Sequence, residues 1–256
     1  MSINCQLQGR TFVVTGASSG LGAHFARVLS NAGARVALVA RRRERLEELS
    51  SDIVAGGGAP PVVVEADVTS VASIRNAVAS IVAAAGVPHG LVNNAGTVDQ
   101  ARAEEIDEQS WDGVIDTNLK GAWFFAAAVA KAMIDAGSGG VIVNIASIAG
   151  LRPAGGVGPY AVSKAGLAHM TRQLAVEWAR HGIRVNALAP GYIETDLNRE
   201  FFQGEAGKAL VKRVPQRRLG RMSDLDAPLL LLCDDAAAYM TGAVIAVDGG
   251  HSINAL

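Results

Sequence analysis

The stretch "TFVVTGASSGLG", Thr11–Gly22, joins a short apolar run to a glycine-rich turn, and a helical stretch follows it. Such a turn lets backbone N–H groups approach a pyrophosphate, with the dipole of the following helix behind them. Glycines alone are weak evidence, because any tight turn uses them. Their position after the first strand of a parallel-sheet pattern is what favours a dinucleotide-binding site.

The rest of the chain repeats the alternation of short apolar runs with longer helical stretches. The runs are continuously hydrophobic, as expected for strands covered on both faces. The predicted strands are Thr11–Gly16, Arg35–Ala40, Pro61–Asp67, Gly90–Gly96, Gly140–Ser147, Arg184–Gly191 and Ala243–Gly250. Two long helices are predicted over Ser110–Ala136 and Tyr160–His181. The pattern predicts an α/β fold: a single-domain, Rossmann-like, doubly wound sheet of about seven mostly parallel strands, with helices on both faces, over residues 1–256.

Composition and charge narrow the classes of partner. The 256 residues are 50% hydrophobic and 18% charged, with a net charge of −1, so no field attracts nucleic acid or an anionic membrane. The N-terminus has no signal-peptide pattern, and no continuous apolar stretch reaches the ~18 residues of a membrane span. We expect a soluble, cytoplasmic protein. Cys5 and Cys233 are too few and too far apart for a disulfide framework, and no metal-ligand spacing is present.

The end of the second strand bears on the choice of dinucleotide. A carboxylate there would hold the ribose 2′-OH of NAD. Here Ala40 is followed by Arg41 and Arg42, while Glu44 falls beyond the strand in a solvated helix start. A guanidinium at Arg41 suits a 2′-phosphate, and Arg42 is the weaker candidate. NADP(H) is therefore favoured, NAD(H) is possible, and a merely solvated basic turn is the alternative.

Over nearly its whole length the sequence resembles the short-chain dehydrogenase/reductase superfamily. The motifs that carry the resemblance are T-G-x-x-x-G-x-G at Thr15–Gly22, Asp67-Val68, N-N-A-G at Asn93–Gly96, Asn118, Ser147, Y-x-x-x-K at Tyr160–Lys164, and Pro190-Gly191. Each motif recurs by chance, but their joint order and spacing do not.

The resemblance implies cofactor-binding roles along the predicted carboxyl edge of the sheet. Residues of the glycine turn would line the pyrophosphate and ribose, namely Gly16, Ser18, Ser19, Gly20, Leu21 and Gly22. Asp67 and Val68 would contact the adenine. The loop of Asn94, Ala95 and Gly96 would border the ribose. After Pro190-Gly191, Ile193 and Thr195 would hold the carboxamide of the nicotinamide. In one departure, Pro88-His89-Gly90 replaces an acidic residue that many relatives carry, with no chemical consequence expected.

Tyr160 and Lys164 lie four positions apart, so they share one helix face. A phenol with a pKa of ~10 is a poor proton shuttle near neutral pH. A lysine ammonium at ~4 Å, with an effective dielectric of ~20, favours the phenolate by about 4 kcal/mol, or roughly 3 pKa units. This predicts Tyr160 as general acid/base, with Ser147 donating to the substrate oxygen. The resemblance further implies that Lys164 binds the nicotinamide ribose and that Asn118 organises a water relay.

Each of these assignments has a plainer alternative. The tyrosine–lysine pair can be an ordinary surface pair, Ser147 can be a turn residue, and Asn118 can mark a structural kink. The joint presence of these residues with the nucleotide turn favours catalysis.

The function that follows is an NADP(H)-dependent oxidoreductase interconverting a ketone or aldehyde with an alcohol, with a carbonyl or 3-oxoacyl-type reductase favoured. Alternatives are an alcohol, sugar or steroid dehydrogenase working oxidatively, an NADP(H) sensor without turnover, and a nucleotide-binding methyltransferase.

The segment of about 192–215 is predicted to be a lid over a small-molecule substrate, with Leu197 and Phe201-Phe202 covering it. Its basic residues suggest a phosphopantetheine carrier or coenzyme A as one further possibility. The apolar long helices, which carry Trp111 and Trp123, predict a homotetramer or dimer.

Overall fold

The computed structural model describes residues 7–194 and 202–254. Seven strands form one sheet: β1 (Thr11–Thr15), β2 (Arg35–Ala40), β3 (Val62–Glu65), β4 (Gly90–Asn93), β5 (Gly140–Ile145), β6 (Ile183–Pro190) and β7 (Val244–Val247). The α-helices of this part of the chain are α1 (Gly20–Asn31), α2 (Arg43–Ala55), α3 (Val71–Ala85), α4 (Glu108–Ile115), α5 (Gly121–Ala136), α6 (Gly158–Trp178), α7 (Glu205–Val211) and α8 (Asp226–Cys233).

The sheet has the order β3-β2-β1-β4-β5-β6-β7, and every neighbouring pair is parallel. The predicted fold class is thereby confirmed, with a parallel sheet throughout. Several strands end before their predicted limits, because the chain leaves the ladder to form the site. At the carboxyl edge, β1 and β4 are neighbours whose following segments diverge, and open α/β sheets bind their ligands at such a switch point.

Two apolar layers cover the sheet and explain why its strands are hydrophobic throughout. One layer packs α1, α2 and α8 against one face, with Phe25 and Leu229 fully buried. The other packs α3, α5 and α6 against the opposite face, with Phe125 and Met133 fully buried. Among the described residues, no helix combines the length and apolar character that crossing a membrane requires.

The predicted helix Ser110–Ala136 is wrong as one continuous element. A π-helical turn, Asp116–Lys120, separates α4 from α5. The amide of Gly121 bonds to the carbonyl of Asp116, five residues back. Gly121 also lies so close to Val68 that a Cβ would stand 2.5 Å from its carbonyl oxygen. The extra residue in the turn rotates Asn118 into the protein, where it is fully buried.

Hydrogen bonds of buried side chains connect the strands β4 and β5 to the helices α5 and α6. The Asn93 amide donates to the carbonyl of Ala122 at 2.9 Å and to Asn144 Oδ1 at 3.1 Å. The Asn144 amide donates to Thr171 Oγ1 at 2.9 Å. The network holds α5 and α6 in register with the strands that carry the site.

Replacing Asn144 by alanine is expected to lower the free energy of unfolding by about 2 to 4 kcal/mol, because it removes two buried hydrogen bonds, to Asn93 and Thr171, and opens a cavity. Urea denaturation measures the change. Gln173→Ala, which removes an amide from an exposed i,i+4 pair with Glu177, is the matched control and should shift it by about 0.5 kcal/mol or less. Equal effects of the two variants would contradict a structural role for the network.

Candidate active site

The glycine turn between β1 and α1 has the shape of an anion cradle. Gly16 has a φ of +67°, and a Cβ on Gly22 would stand 2.2 Å from the carbonyl oxygen of Gly16. Gly20, at the first turn of α1, has a φ of +54° and open space where a Cβ would be. Ser19 precedes the helix without capping it through its side chain. The first backbone N–H groups of α1 have no partner within the helix and no side-chain cap, as at helix N-termini that bind anions, so these residues fit the pyrophosphate of a dinucleotide.

Arg41 and Arg42, which follow β2, interact with different parts of the site. The guanidinium of Arg42 donates to Ser18 Oγ from Nη2 at 2.8 Å and to Ser19 Oγ at 2.8 Å. The charge of Arg41 instead acts on Asp67, whose pKa it helps to lower. Ranking Arg42 below Arg41 finds no support in these contacts, since Arg42 reaches the glycine turn itself. The side chains of Arg41 and Arg42 point in different directions, and the order of residues in the sequence does not show which one reaches the glycine turn.

Asp67 lies just beyond β3. Its carboxylate accepts from the backbone N–H of Thr69 at 2.9 Å and from the Thr69 hydroxyl at 2.8 Å. The backbone hydrogen bond from Thr69 is the main reason that the pKa of Asp67 is lowered, against the opposing effect of burial. Asp67 and Val68 thus border the same edge as Arg41, beside the glycine turn.

Thr15 organises the next loop, and the sequence interpretation gave it no role of its own. Its buried hydroxyl oxygen accepts from the backbone N–H groups of Asn94 and Ala95, both at 3.0 Å. The Asn94 amide returns a bond to the Thr15 carbonyl at 3.0 Å. The threonine of the T-G motif was the available signal. Gly96, at the end of this loop, lies close to Lys164: a Cβ on Gly96 would be 3.5 Å from the Lys164 Nζ.

Ser147, Tyr160 and Lys164 meet at the carboxyl end of β5. The Ser147 hydroxyl accepts from the backbone N–H of Ala149 at 3.1 Å and is close enough to Tyr160 for a hydrogen bond that lowers its pKa. Lys164 Nζ donates to the carbonyl of Ile145 at 2.7 Å and lies 5.6 Å from the centroid of the Tyr160 ring. Lys164 is only 4% exposed. These positions suit a hydroxyl pair facing substrate with a cation behind it.

The expected shift of the Tyr160 pKa is wrong for the protein by itself. Burial is the largest effect and raises the pKa of Tyr160 above its usual value, and Ser147 offsets only part of it. Burial also lowers the pKa of Lys164 to about 8. The expected shift of roughly 3 pKa units included the attraction between the two groups but not the cost of removing both charges from water.

Asn118 makes the π-helical turn part of the site. Its amide donates to the carbonyl of Thr97 at 2.8 Å and to Ser163 Oγ at 3.0 Å, and its Oδ1 accepts from the Thr97 N–H at 2.7 Å. Ser163 in turn donates to the carbonyl of Tyr160 at 2.7 Å. Both amide protons of Asn118 are occupied, so its side chain positions the loop and α6. Ser163 directly precedes Lys164 in α6, and the sequence analysis predicted no role for it.

Beyond β6 the chain forms the far wall of the site. Gly191 packs closely against Asp248: a Cβ on Gly191 would lie 2.8 Å from the Cα of Asp248. Ile193, which is buried, forms an isolated parallel β-bridge with Gly220. The Tyr192 ring contacts Phe202 edge-on at 5.8 Å. Of the predicted lid residues, Thr195, Leu197 and Phe201 lie outside the described residues. Lys208, in the predicted lid, pairs with Glu205 at 2.9 Å, and Arg218, just after the lid, pairs with Asp224 at 2.6 Å.

The buried ammonium of Lys164 predicts a pH dependence of stability. Its pKa is about 8 in the folded protein against 10.5 for the exposed group. Between these values the unfolded chain holds a proton that the folded chain lacks, so stability rises with pH; below about 8 the full cost of burial applies. Between pH 7 and pH 10, the cofactor-free protein should gain about 2 to 3 kcal/mol relative to Lys164→Met. Urea denaturation of both proteins across this range measures it, and parallel curves would contradict it.

The geometry defines a class of protein. A glycine turn at the switch point of a parallel sheet, with a serine, a tyrosine and a buried lysine beside it, is the arrangement of a dinucleotide-dependent oxidoreductase.

Comparison with known proteins agrees with this class. The family model described as enoyl-(acyl carrier protein) reductase, adh_short_C2, matches residues 16–252. D-threitol dehydrogenase of Mycolicibacterium smegmatis is 37% identical over 97% of this chain and 95% of its own length. The 2-dehydro-3-deoxy-D-gluconate 5-dehydrogenase of Escherichia coli is 37% identical over 95% and 96%. The structure of a gluconate 5-dehydrogenase from Burkholderia cenocepacia, in complex with NADP and tartrate, aligns with a TM-score of 0.94 at 33% identity and covers 98% of each chain.

The chain belongs to the short-chain dehydrogenase/reductase family. The predicted enzyme class, a nicotinamide-dependent dehydrogenase/reductase acting on CH–OH groups, is confirmed at that level.

Proposed function

We propose that this protein is an NADP(H)-dependent dehydrogenase that interconverts a secondary alcohol of a polyhydroxy compound, a polyol or a sugar acid, with the corresponding ketone. The observation that carries the proposal is the meeting of Ser147, Tyr160 and Lys164 beside the glycine turn. The polyol and sugar-acid dehydrogenases among its relatives support this substrate class over the carbonyl or 3-oxoacyl-type reduction favoured by the sequence interpretation.

In the oxidative direction, the Ser147 hydroxyl donates to the substrate oxygen, and the Tyr160 phenolate accepts a hydrogen bond from the substrate hydroxyl. Tyr160 removes the hydroxyl proton as the C–H bond breaks, and in reduction it returns that proton to the oxygen. A nicotinamide cofactor held beside these residues would provide the hydride-transfer chemistry. Lys164 keeps its cation behind the phenol ring, and the Ile145 carbonyl holds the ammonium in place. Since burial raises the pKa of Tyr160, the positive charge near it is needed to bring the phenol into a useful range.

The preference for NADP(H) rests on charge. Arg41 and Arg42 are both exposed at the end of β2, and the Arg42 guanidinium already reaches the two serine hydroxyls of the glycine turn. A 2′-phosphate placed here would meet two guanidinium groups, which bind phosphate through paired, charge-assisted hydrogen bonds.

The test is the rate of absorbance change at 340 nm with NADP⁺ or NAD⁺ and a panel of neutral polyols, aldonates and simple secondary alcohols. The reverse assay uses NADPH with acetoacetyl-CoA, diketones and keto-sugars. Faster turnover of polyols or aldonates than of acyl thioesters supports the proposal. A preference for acetoacetyl-CoA would overturn the substrate class, and binding of NADPH without turnover of any compound would overturn the enzyme assignment.

We also propose a homotetramer in the cytoplasm. On the face formed by α4 and α5, Trp111 is 42% and Trp123 is 38% exposed, which is unusual for tryptophan on a monomer surface. Light scattering after size exclusion should give about four times the 26.4 kDa chain mass at micromolar concentration. A Trp111→Glu/Trp123→Glu double variant should dissociate to smaller species, whereas a wild-type monomer would contradict the proposal.

A further inference from the structure

Three side chains that the proton-transfer site does not use meet at the same edge of the sheet. Arg152 follows β5, and its Nη1 donates to the carbonyl oxygens of His251 at 3.0 Å and Asn254 at 3.2 Å. Tyr192 follows β6, and its ring lies 5.2 Å from that of His251, which follows β7. Since β5, β6 and β7 are neighbours, the sheet brings these residues together. We call Arg152, Tyr192 and His251 the Arg152 cluster.

Arg152 has a fixed position relative to the proton-transfer residues. It lies five positions after Ser147, and its backbone N–H donates to the carbonyl of Ile148 at 2.8 Å. The turn before it is pressed against α6, since a Cβ on Gly150 would stand 2.5 Å from the carbonyl carbon of Lys164. The guanidinium is therefore held on the short segment that also carries the substrate-binding hydroxyl.

Within the cluster, Arg152 makes no hydrogen bond to a carboxylate in the described part of the chain. A guanidinium has five N–H donors, and within residues 7–194 and 202–254 no acceptor is bonded to Nε or Nη2 of Arg152. Burial raises the pKa of Tyr192, and the charges of Arg213 and Arg152 offset part of that rise. Burial lowers the pKa of His251, and the same two charges lower it further. The nearby Asp248 carboxylate accepts from the N–H groups of Gly250 and Ser252, at 2.9 and 2.7 Å. Its charge raises the pKa of His251, against the effect of the two arginines.

His251 adds an unsatisfied polar atom. The side chain is 8% exposed, and within the same described ranges its Nδ1 is buried without a hydrogen-bond partner. Buried polar atoms are almost always paired, so an unpaired one close to a guanidinium that has N–H groups to spare calls for a ligand or a water. The Tyr192 ring contacts both His251 and Phe202, so apolar ring surface borders the cluster.

We propose that Arg152 selects substrates with a carboxylate remote from the reacting carbon, so that aldonates are preferred over neutral polyols of equal length. The inference rests on the proposed function and narrows its substrate class. Arg152 is a specificity residue in this scheme: it binds the far end of the substrate and takes no part in the proton transfer.

The experiment compares matched pairs, D-gluconate with D-glucitol and threonate with threitol, in NADP⁺-dependent oxidation. For the wild type, kcat/KM should be at least about tenfold higher for the acid of a pair. Arg152→Gln should raise KM for the acids roughly 10- to 100-fold, as expected for a lost charged hydrogen bond, with kcat nearly unchanged and the alcohols within about threefold. Arg152→Lys, which keeps the charge but loses the planar fork, should fall between.

Two controls separate specificity from structure. Arg180→Gln removes an exposed guanidinium before β6, at the opposite edge of the sheet, and should leave the acid-to-alcohol ratio unchanged. Raising ionic strength from about 0.05 to 0.5 M should raise KM of the wild type for the acids and leave the alcohols unaffected, because salt screens the attraction. The second control needs no variant, so it stands even if Arg152→Gln fails to fold.

An equal loss on acids and alcohols in Arg152→Gln would overturn the inference and leave Arg152 as an anchor of the C-terminal segment. A wild type that oxidises the alcohols as well as the acids would overturn it too, while leaving the proposed function intact. Failure to oxidise either member of each pair would overturn the proposed function itself.

Discussion

Tyr160→Phe is expected to lower kcat about 10³- to 10⁴-fold while leaving NADPH affinity within about threefold, because only the hydroxyl that transfers the proton is lost. The ring still packs over Lys164, whose Nζ lies 5.6 Å from its centroid. Initial rates at 340 nm measure the loss, and fluorescence titration with NADPH measures binding.

The matched control is Tyr239→Phe, the same chemical change on a fully exposed tyrosine, which should retain wild-type activity. Ser147→Ala should lose about 10- to 100-fold, since the remaining hydroxyl still holds the substrate oxygen. A Tyr160→Phe variant with more than about a tenth of wild-type activity would show that another group transfers the proton.

The second large effect is expected at the end of β2. Arg41→Gln and Arg42→Gln should each weaken NADPH binding about 10- to 100-fold, because each removes a charged hydrogen bond to the 2′-phosphate. NADH, which lacks that phosphate, should bind within about twofold of wild type. Kd values from fluorescence titration, and kcat/KM with each cofactor, give the two ratios.

Arg43→Gln is the matched control, because Arg43 pairs with Glu47 at 2.8 Å on the exposed face of α2 and should not change either cofactor. If Arg42→Gln weakened NADH and NADPH equally, its bonds to Ser18 and Ser19 would be serving only the shape of the turn. A wild-type preference for NADH would remove the basis for both arginine assignments.

Much of the fold could be predicted because its signals are local. Continuous apolar runs predicted all seven strands, and their alternation with helices predicted a doubly wound parallel sheet. The long helix Ser110–Ala136 could not be divided correctly from its apolar pattern, because the π-helical turn depends on what Asn118 and Gly121 meet in the folded protein. Thr15, as part of a motif, carried a signal for its role; Ser163 carried none, since its partner Asn118 is 45 residues away.

The amino-acid sequence by itself determined the glycine turn and the tyrosine–lysine pair. A positive φ at Gly16 and the four-residue spacing on α6 are properties of neighbouring residues, so they can be recognised without the fold. The tertiary structure decided which arginine reaches the turn, the direction of the Tyr160 pKa shift, and the meeting of Arg152 with His251, 99 residues away. The physical reason is that desolvation and side-chain direction depend on neighbours supplied by distant segments, and only the folded sheet brings those segments together.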